Sequence, residues 1–193
     1  MMKDTLQGAQ ITVKGISPLL LHRFSEEEAQ KATSGIRSGR NQELLPREIA
    51  DSYLYKLPDG TPYFPADNLY RALIDGGRKI KVGRASLSTQ RDSQIPSMLW
   101  IIQTYMPIVP NTWEVDSRPV CIPATGGRIL RHRPRFDEWA LSFSLLWDST
   151  LISEMLLRDL ITITGRVIGI GDFRPARRGT FGRFTMTLWE QNQ

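Results

Sequence analysis

Residues 139–147 read Trp-Ala-Leu-Ser-Phe-Ser-Leu-Leu-Trp, with large apolar side chains at every second position and mostly small or polar ones between them. Successive side chains of a β-strand point to opposite faces of the sheet, so this spacing gathers the large side chains on one face. The run therefore predicts a strand that packs one face against the core. It is the clearest strand signal in the chain, and the neighbouring elements can be placed around it.

A helix and a closing strand are predicted after this run. Asp148 and Ser149 suit the N-cap of a helix, because short polar side chains accept hydrogen bonds from free backbone N–H groups. The apolar side of that helix would contain Ile152, Met155, Leu156, Leu160 and Ile163. Alternation returns over residues 184–189 and predicts the last strand.

The first half of the chain supplies the remaining elements. Residues 10–14 alternate as a strand, and Pro65 can start a helix whose apolar side is Leu69, Ala72 and Leu73, with Gly76 and Gly77 as its stop. A turn at 58–60 predicts a hairpin of 53–57 with 61–64, and a turn at 124–127 predicts another. The order is βαββαβ, an α+β fold of the ferredoxin-like type, also called a modified RNA-recognition-motif fold.

Positive charge is concentrated in three windows. Residues 71–91, 118–135 and 165–184 hold six, five and five basic residues, against one, none and one acidic residue. Together they contain 16 of the 25 basic residues of the chain and 2 of its 20 acidic residues. If the windows meet in space, they form a positive surface of the kind that binds a phosphate backbone.

Composition limits the classes of protein that need to be considered. A chain of 193 residues with 40% hydrophobic residues can bury one core, so we expect a single domain over 1–193. Basic or polar insertions are expected at about 25–50, 78–94 and 118–135. No apolar run is long enough to span a bilayer, and Cys121 is the only cysteine, so we expect a cytoplasmic protein with no membrane partner, cofactor or metal site.

The segment before the last strand combines glycine, arginine and phenylalanine. Residues 169–184 contain four glycines, four arginines and three phenylalanines. Glycine lets a phosphate approach the backbone, so Gly171, Gly179 and Gly182 could offer their N–H groups to phosphate oxygens. Arginine matches phosphate geometry, and phenylalanine rings offer faces on which bases stack. A tight connection whose glycines only relieve crowding is the alternative.

This segment, lying between the last helix and the last strand, resembles the glycine-rich loop of the RAMP superfamily, the RNA-binding proteins of CRISPR systems. Residues 63–73 are similar to a helix start found in backbone subunits of that superfamily. The resemblance implies a protein that binds single-stranded RNA, or a DNA target, and associates head to tail along a guide RNA beside other ribonucleoprotein subunits. It also implies that the three insertions act as finger- or thumb-like excursions.

The candidate nucleic-acid-binding residues follow from the charge windows, the glycine segment and the polar stretch after the first strand. They are His22, Arg23, Arg37, Arg40, Arg71, Arg128, Arg131, Arg133, Gly171, Arg174, Arg177, Arg178, Gly179, Gly182 and Arg183.

Three functions remain open from the sequence. The first is a non-catalytic RNA-coating subunit. The second is a metal-independent endoribonuclease in which His22 acts as acid or base, although the sequence shows no second catalytic partner. The third is a viral or structural assembly protein whose basic surface neutralises nucleic acid. We expect binding rather than catalysis, because no complete set of catalytic residues is apparent.

Overall fold

The computed structural model describes residues 5–24, 45–121 and 126–191. Within these ranges the strands are β1 (Leu6–Gly15), β2 (Leu19–Leu20), β3 (Tyr63–Pro65), β4 (Lys81–Val82), β5 (Ala85–Ser86), β6 (Leu99–Ile101), β7 (Tyr105–Pro107), β8 (Glu114–Cys121), β9 (Arg128–Phe136), β10 (Ala140–Asp148) and β11 (Phe184–Gln191). The α-helices are α1 (Pro46–Ser52), α2 (Ala66–Gly77), α3 (Ile95–Met98) and α4 (Glu154–Ile163). A π-helical turn (Thr164–Ile168) continues α4, and a 3-10 turn (Pro175–Arg177) precedes β11.

The main sheet has four antiparallel strands in the order β11-β1-β10-β6. α2 lies between β1 and β6 along the chain, and α4 lies between β10 and β11. The last strand of the motif therefore pairs with the first, and the third lies between the first and the second. This arrangement confirms the α+β, ferredoxin-like fold.

The strand predicted at 139–147 is β10 with the residue before it. Its large apolar side chains are all at most 1% exposed, namely Trp139, Leu141, Phe143, Leu145 and Trp147. Burying side chains of this size stabilises the fold by about 1.5–3 kcal/mol each, before the entropy cost of ordering the chain. The period-two pattern is confirmed as the pattern of a sheet with one face in the core.

The other face of the sheet is polar and connected by hydrogen bonds. Thr12 and Ser142 bond through their hydroxyls at 2.9 Å, and Ser144 donates to Gln10 Oε1 at 2.7 Å. Gln103 adds a bond to the Ser144 hydroxyl at 2.9 Å. The middle of this face thus carries polar side chains that are bonded to one another.

The two long helices follow their predictions to different degrees. α2 begins after Pro65, and Leu69, Ala72 and Leu73 are buried as expected. α4 begins later than predicted, because Asp148 is the last residue of β10 and the helix is capped by Ser153, whose hydroxyl accepts the Leu156 N–H at 3.3 Å.

The side of α4 that faces the core also differs from the prediction. Leu157, Leu160 and Ile161 are buried, whereas Met155 is 74% exposed. The predicted apolar side was therefore correct at Leu160 and wrong at Met155.

The elements outside the main sheet and its two long helices differ in part from the sequence predictions. The turn at 58–60 is present, and the predicted hairpin is closed by backbone hydrogen bonds from the Leu57 N–H to the Thr61 carbonyl and from the Tyr63 N–H to the Tyr55 carbonyl, both at 2.9 Å. Its second strand contains β3, which also pairs with β7. Helix α1 was not predicted, and it packs on β8 and β9. The hairpin of β8 and β9 is confirmed and extends from 114 to 136, and residues 122–125 between the two strands lie outside the described residues. No described helix is both long and apolar enough to cross a membrane.

Candidate nucleic-acid interface

Residues 169–183, here called the glycine loop, fold back onto the chain that follows β1. Gly182 donates its N–H to the Pro18 carbonyl at 2.8 Å, and Asp172 donates to the Leu20 carbonyl at 2.8 Å. Gly169, Gly171 and Gly182 have φ values of 70°, 75° and 70°, a region that favours glycine. The loop is therefore fixed by backbone hydrogen bonds at several points.

Several glycines serve close backbone contact. A Cβ at Gly179 would lie 1.6 Å from the Phe173 carbonyl oxygen, and one at Gly182 would lie 1.8 Å from the Ile170 oxygen. The N–H of Gly179 donates to the Arg174 carbonyl at 3.0 Å. The N–H groups of Gly179 and Gly182 are thus engaged within the protein and do not point to a ligand, which corrects our expectation for them.

The phenylalanines of this segment also differ from expectation. Phe184 is fully buried against Trp139, and Phe181 is 8% exposed, whereas Phe173 is 38% exposed. Only Phe173 of the three could offer a face to a base. The other two anchor the loop and the last strand to the core.

The glycine loop forms one wall of a cavity of about 340 Å³, here called the aromatic cavity. Its opposite wall is formed by α2 and by the segments around His22 and Tyr55. The lining residues are Leu21, His22, Phe24, Tyr55, Phe64, Asn68, Arg71, Ile170, Gly171, Asp172 and Arg174. The lining therefore combines apolar and aromatic groups with polar and charged ones.

A second cavity, of about 630 Å³ and here called the cationic cavity, adjoins the first. Arg71 and Arg174 line both cavities. The remaining lining residues are Asp75, Arg78, Lys79, Gln90, Val167, Ile168, Pro175, Ala176 and Arg177. Five basic side chains from the windows 71–91 and 165–184 thus meet in one place, which confirms that these windows converge.

Arg174 is the least exposed of these cations. Its Nη1 donates to the Gly171 carbonyl at 3.1 Å, while its buried Nε has no hydrogen-bond partner among the described residues. Burial and the neighbouring charge of Arg177 lower the pKa of Arg174. A bound anion would offset both effects, because it would pair with a cation that is partly removed from water.

Asp172 links the glycine loop to two other elements. Its Oδ2 lies 3.5 Å from Nδ1 of His22 and 3.0 Å from Nε of Arg133, and its Oδ1 accepts the Phe173 N–H at 2.8 Å. Burial acts to raise the pKa of Asp172, but the His22 hydrogen bond and the Arg133 charge outweigh it, so the pKa is lowered. Asp172 therefore stays ionised beside the His22 ring.

The shifted pKa of Asp172 predicts a dependence of stability on pH. A carboxylate whose pKa is lower in the folded state stabilises the fold above its unfolded pKa of about 3.9, and this contribution is lost as the pH falls through the folded value. We expect Asp172→Asn to lower the melting temperature at neutral pH, with a gap to the wild type that closes toward pH 2–3. Thermal unfolding across this range checks the prediction, with Glu138→Gln as the exposed control. A gap that stays constant with pH would contradict it.

The hairpin of β8 and β9 meets the glycine loop at its base. Arg133 reaches Asp172, and the Arg118 guanidinium lies 4.8 Å from the centre of the Phe181 ring. Arg118 is also paired with the buried Asp116. The third basic window therefore contacts the glycine loop through specific side chains, while Arg131 lies opposite Arg118 in the ladder and Arg128 lies farther toward the end of the hairpin.

The structure separates the predicted binding residues into groups. His22, Arg71, Gly171, Arg174 and Arg177 line the two cavities. Arg133 lies behind them as the partner of Asp172, and Arg23 follows His22 with an exposed side chain.

The other predicted residues lie elsewhere. Arg178 is exposed in the loop, and Arg183 lines a different cavity together with Arg166. Arg37 and Arg40 lie outside the described residues.

Several lining residues were not among the predicted binding residues, and Asp172, Tyr55 and Asn68 are examples. Asp172 could have been found, because it is the only acidic residue among the arginines of its window. Tyr55 and Asn68 carry no such signal, since an isolated tyrosine or asparagine is common on any surface. Their position beside the glycine loop follows only from the packing of α2 and of the segment after α1.

Comparison with solved structures places this geometry among known folds. A chain in the cryo-EM structure of the Type III-B Cmr-beta bound to cognate target RNA matches with a TM-score of 0.59 and 11% sequence identity. The match covers 98% of this chain and 61% of that one, so the present chain spans about three fifths of its length. No protein-family model and no curated protein matches the sequence. The similarity therefore concerns the fold.

Proposed function

We propose that this chain binds single-stranded RNA as a subunit of a CRISPR-type ribonucleoprotein. The observation that carries the proposal is the convergence of five basic side chains from two distant windows in the cationic cavity. Phosphate groups are the ligands that such a surface fits best, and the adjoining aromatic cavity suits a polymer that also carries bases. A similar fold in an RNA-bound Cmr structure supports the same class of partner.

The finer role that we propose is that of a backbone subunit. In this role, copies of the chain associate head to tail along a guide RNA and contact other subunits of the complex. β6 is an edge strand of the main sheet, and Trp100 within it and Ile102 just after it are 45% and 56% exposed. An exposed strand edge with apolar side chains is a surface suited to contact with another chain.

Binding and assembly can be tested together. We expect the affinity for single-stranded RNA to fall with salt along a log-log slope of about −2 to −3, since three to four phosphates at about −0.7 each fit the cationic cavity. Fluorescence anisotropy measures the slope.

Assembly is tested by light scattering on RNA strands of increasing length, which should show one further copy of the protein for each fixed increment in strand length. A slope near zero would remove the RNA-binding proposal, and a constant single copy would remove the backbone role.

A metal-independent endoribonuclease is a second candidate, and one observation favours it. Asp172 engages Nδ1 of His22, which leaves Nε2 as the ring nitrogen that could exchange a proton with a substrate. The Asp172 carboxylate is thus a partner for His22 that the sequence did not reveal. Arg71 and Arg174 line the same cavity and could neutralise the phosphate under attack.

The two candidates differ in a product that can be measured. In the nuclease, His22 Nε2 would take the proton of a 2′-hydroxyl, and the 2′-oxygen would attack the adjacent phosphorus to form a 2′,3′-cyclic phosphate. The bond from phosphorus to the 5′-oxygen would break, and this oxygen would take a proton from water and leave as a 5′-hydroxyl. Cleavage in EDTA should then fall by about 100-fold or more in His22→Ala. Gel electrophoresis of labelled RNA after incubation with the wild type and with the variant measures this cleavage. An uncut substrate with the wild type, or equal cleavage by the variant, would exclude His22 as a catalytic residue.

A further inference from the structure

We propose that the aromatic cavity receives one base of the bound strand, turned out of the stack, while the neighbouring phosphates lie in the cationic cavity. This inference rests on the proposed function and adds a base-binding site to it. The two cavities differ in chemistry, since Phe24, Tyr55 and Phe64 line only the first, and Arg78, Lys79 and Arg177 line only the second.

The floor and sides of the aromatic cavity suit a flat, mostly apolar ring. Leu21 and Phe64 are each 1% exposed and form apolar walls, while Phe24 is 66% exposed and offers an accessible ring. The volume of about 340 Å³ lies at the lower end of the range of small-ligand pockets, about 300–1,000 Å³. A single base fits this description better than a phosphate, because a phosphate gains little from apolar walls.

Several wall residues are held in place before any ligand binds. The Tyr55 ring lies 5.7 Å from the ring of Tyr63, which in turn packs edge-on against Tyr105 at 4.6 Å. His22 is fixed from two sides, by Asp172 and by the Tyr53 ring at 4.4 Å. A preformed cavity costs less to order on binding, so its contacts contribute more of their energy to affinity.

The polar groups of the cavity can meet the edge of a base. Asn68 supplies an amide with donors and an acceptor, and Asp172 supplies acceptor oxygens. Arg71 and Arg174 line both cavities, so a nucleotide with its base in one cavity brings its phosphate toward these guanidinium groups. The arrangement thus has a place for each part of one nucleotide.

The test compares an intact RNA oligonucleotide with a strand of equal length whose sugars carry no bases. Stacking on an aromatic side chain contributes enough per base that the wild type should bind the intact strand about tenfold more tightly. The double variant Phe24→Leu/Tyr55→Leu keeps apolar side chains in the walls but removes the rings, and it should lose most of this ratio. Its salt slope should be unchanged, because the phosphate contacts are intact.

Trp113→Leu is the control, since its ring packs beside Arg47 and lines neither cavity. This variant should keep the tenfold ratio. Equal binding of both strands by the wild type would overturn the base site while leaving RNA binding in place. The same conclusion follows if the double variant keeps the full ratio, because the bases would then bind elsewhere. Failure of the wild type to bind either strand would instead overturn the proposed function.

Discussion

Replacing Arg71 and Arg177 together by glutamate should weaken the binding of single-stranded RNA by about a hundredfold or more. Both side chains are exposed and line the cationic cavity. A hydrogen bond to a charged group contributes about 1.5–3 kcal/mol, so each lost phosphate contact costs about tenfold or more in affinity. Reversing the charge adds repulsion to this loss. Because neither side chain is buried, the melting temperature should stay close to that of the wild type.

The control for this prediction is a charge reversal on a different surface. Lys14 is exposed on β1 and lies on the same polar face of the sheet as Thr12. Lys14→Glu changes the net charge by the same amount as Arg177→Glu alone. It should nevertheless reduce the affinity for RNA far less than Arg177→Glu does. Anisotropy titrations at one salt concentration measure all of these variants. Equal losses for Lys14→Glu and Arg177→Glu would show that binding depends on net charge and not on the cavity.

Gly182→Ala should lower the melting temperature by about 5–15 °C, since a chain of this size loses about 2–4 °C per kcal/mol. Two costs add together. The positive φ of 70° disfavours a side chain by about 1–2 kcal/mol, and the new Cβ would press on the Ile170 carbonyl, at an overpacking cost of about 1–3 kcal/mol. The loop would have to shift, so RNA affinity should fall as well.

Gly83→Ala separates these two costs. Gly83 has a φ of 63°, close to that of Gly182, but a Cβ there would have no atom within 4 Å. In Gly83→Ala the melting temperature should therefore fall only by the part that is due to backbone conformation, and the RNA affinity should stay the same. Calorimetry and anisotropy on both variants check the prediction. Equal melting temperatures for the two would show that the glycine loop tolerates a Cβ at Gly182.

The sequence was most informative where a periodic pattern coincided with burial. The alternation around Phe143 identified β10 correctly, because a one-sided core imposes a period of two over many residues. The helix after Pro65 was equally clear. The start of α4 was misplaced because Asp148 and Ser153 are both acceptable N-cap residues, and only the length of β10 decides between them. Helix α1 is short, and its sequence has little periodicity to detect.

By itself the sequence determined the order of strands and helices, the three positive windows and the presence of a glycine-rich connection before the last strand. Only the tertiary structure decided which charges act together. Arg71 and Arg174 are about a hundred residues apart in the chain, and they line the same cavities because α2 and the glycine loop pack side by side. It also decided that Gly179 and Gly182 serve close backbone packing, and that Asp172 faces His22. The physical reason is that periodic patterns and residue types can be read along the chain, whereas the position of a side chain in space depends on contacts between distant segments.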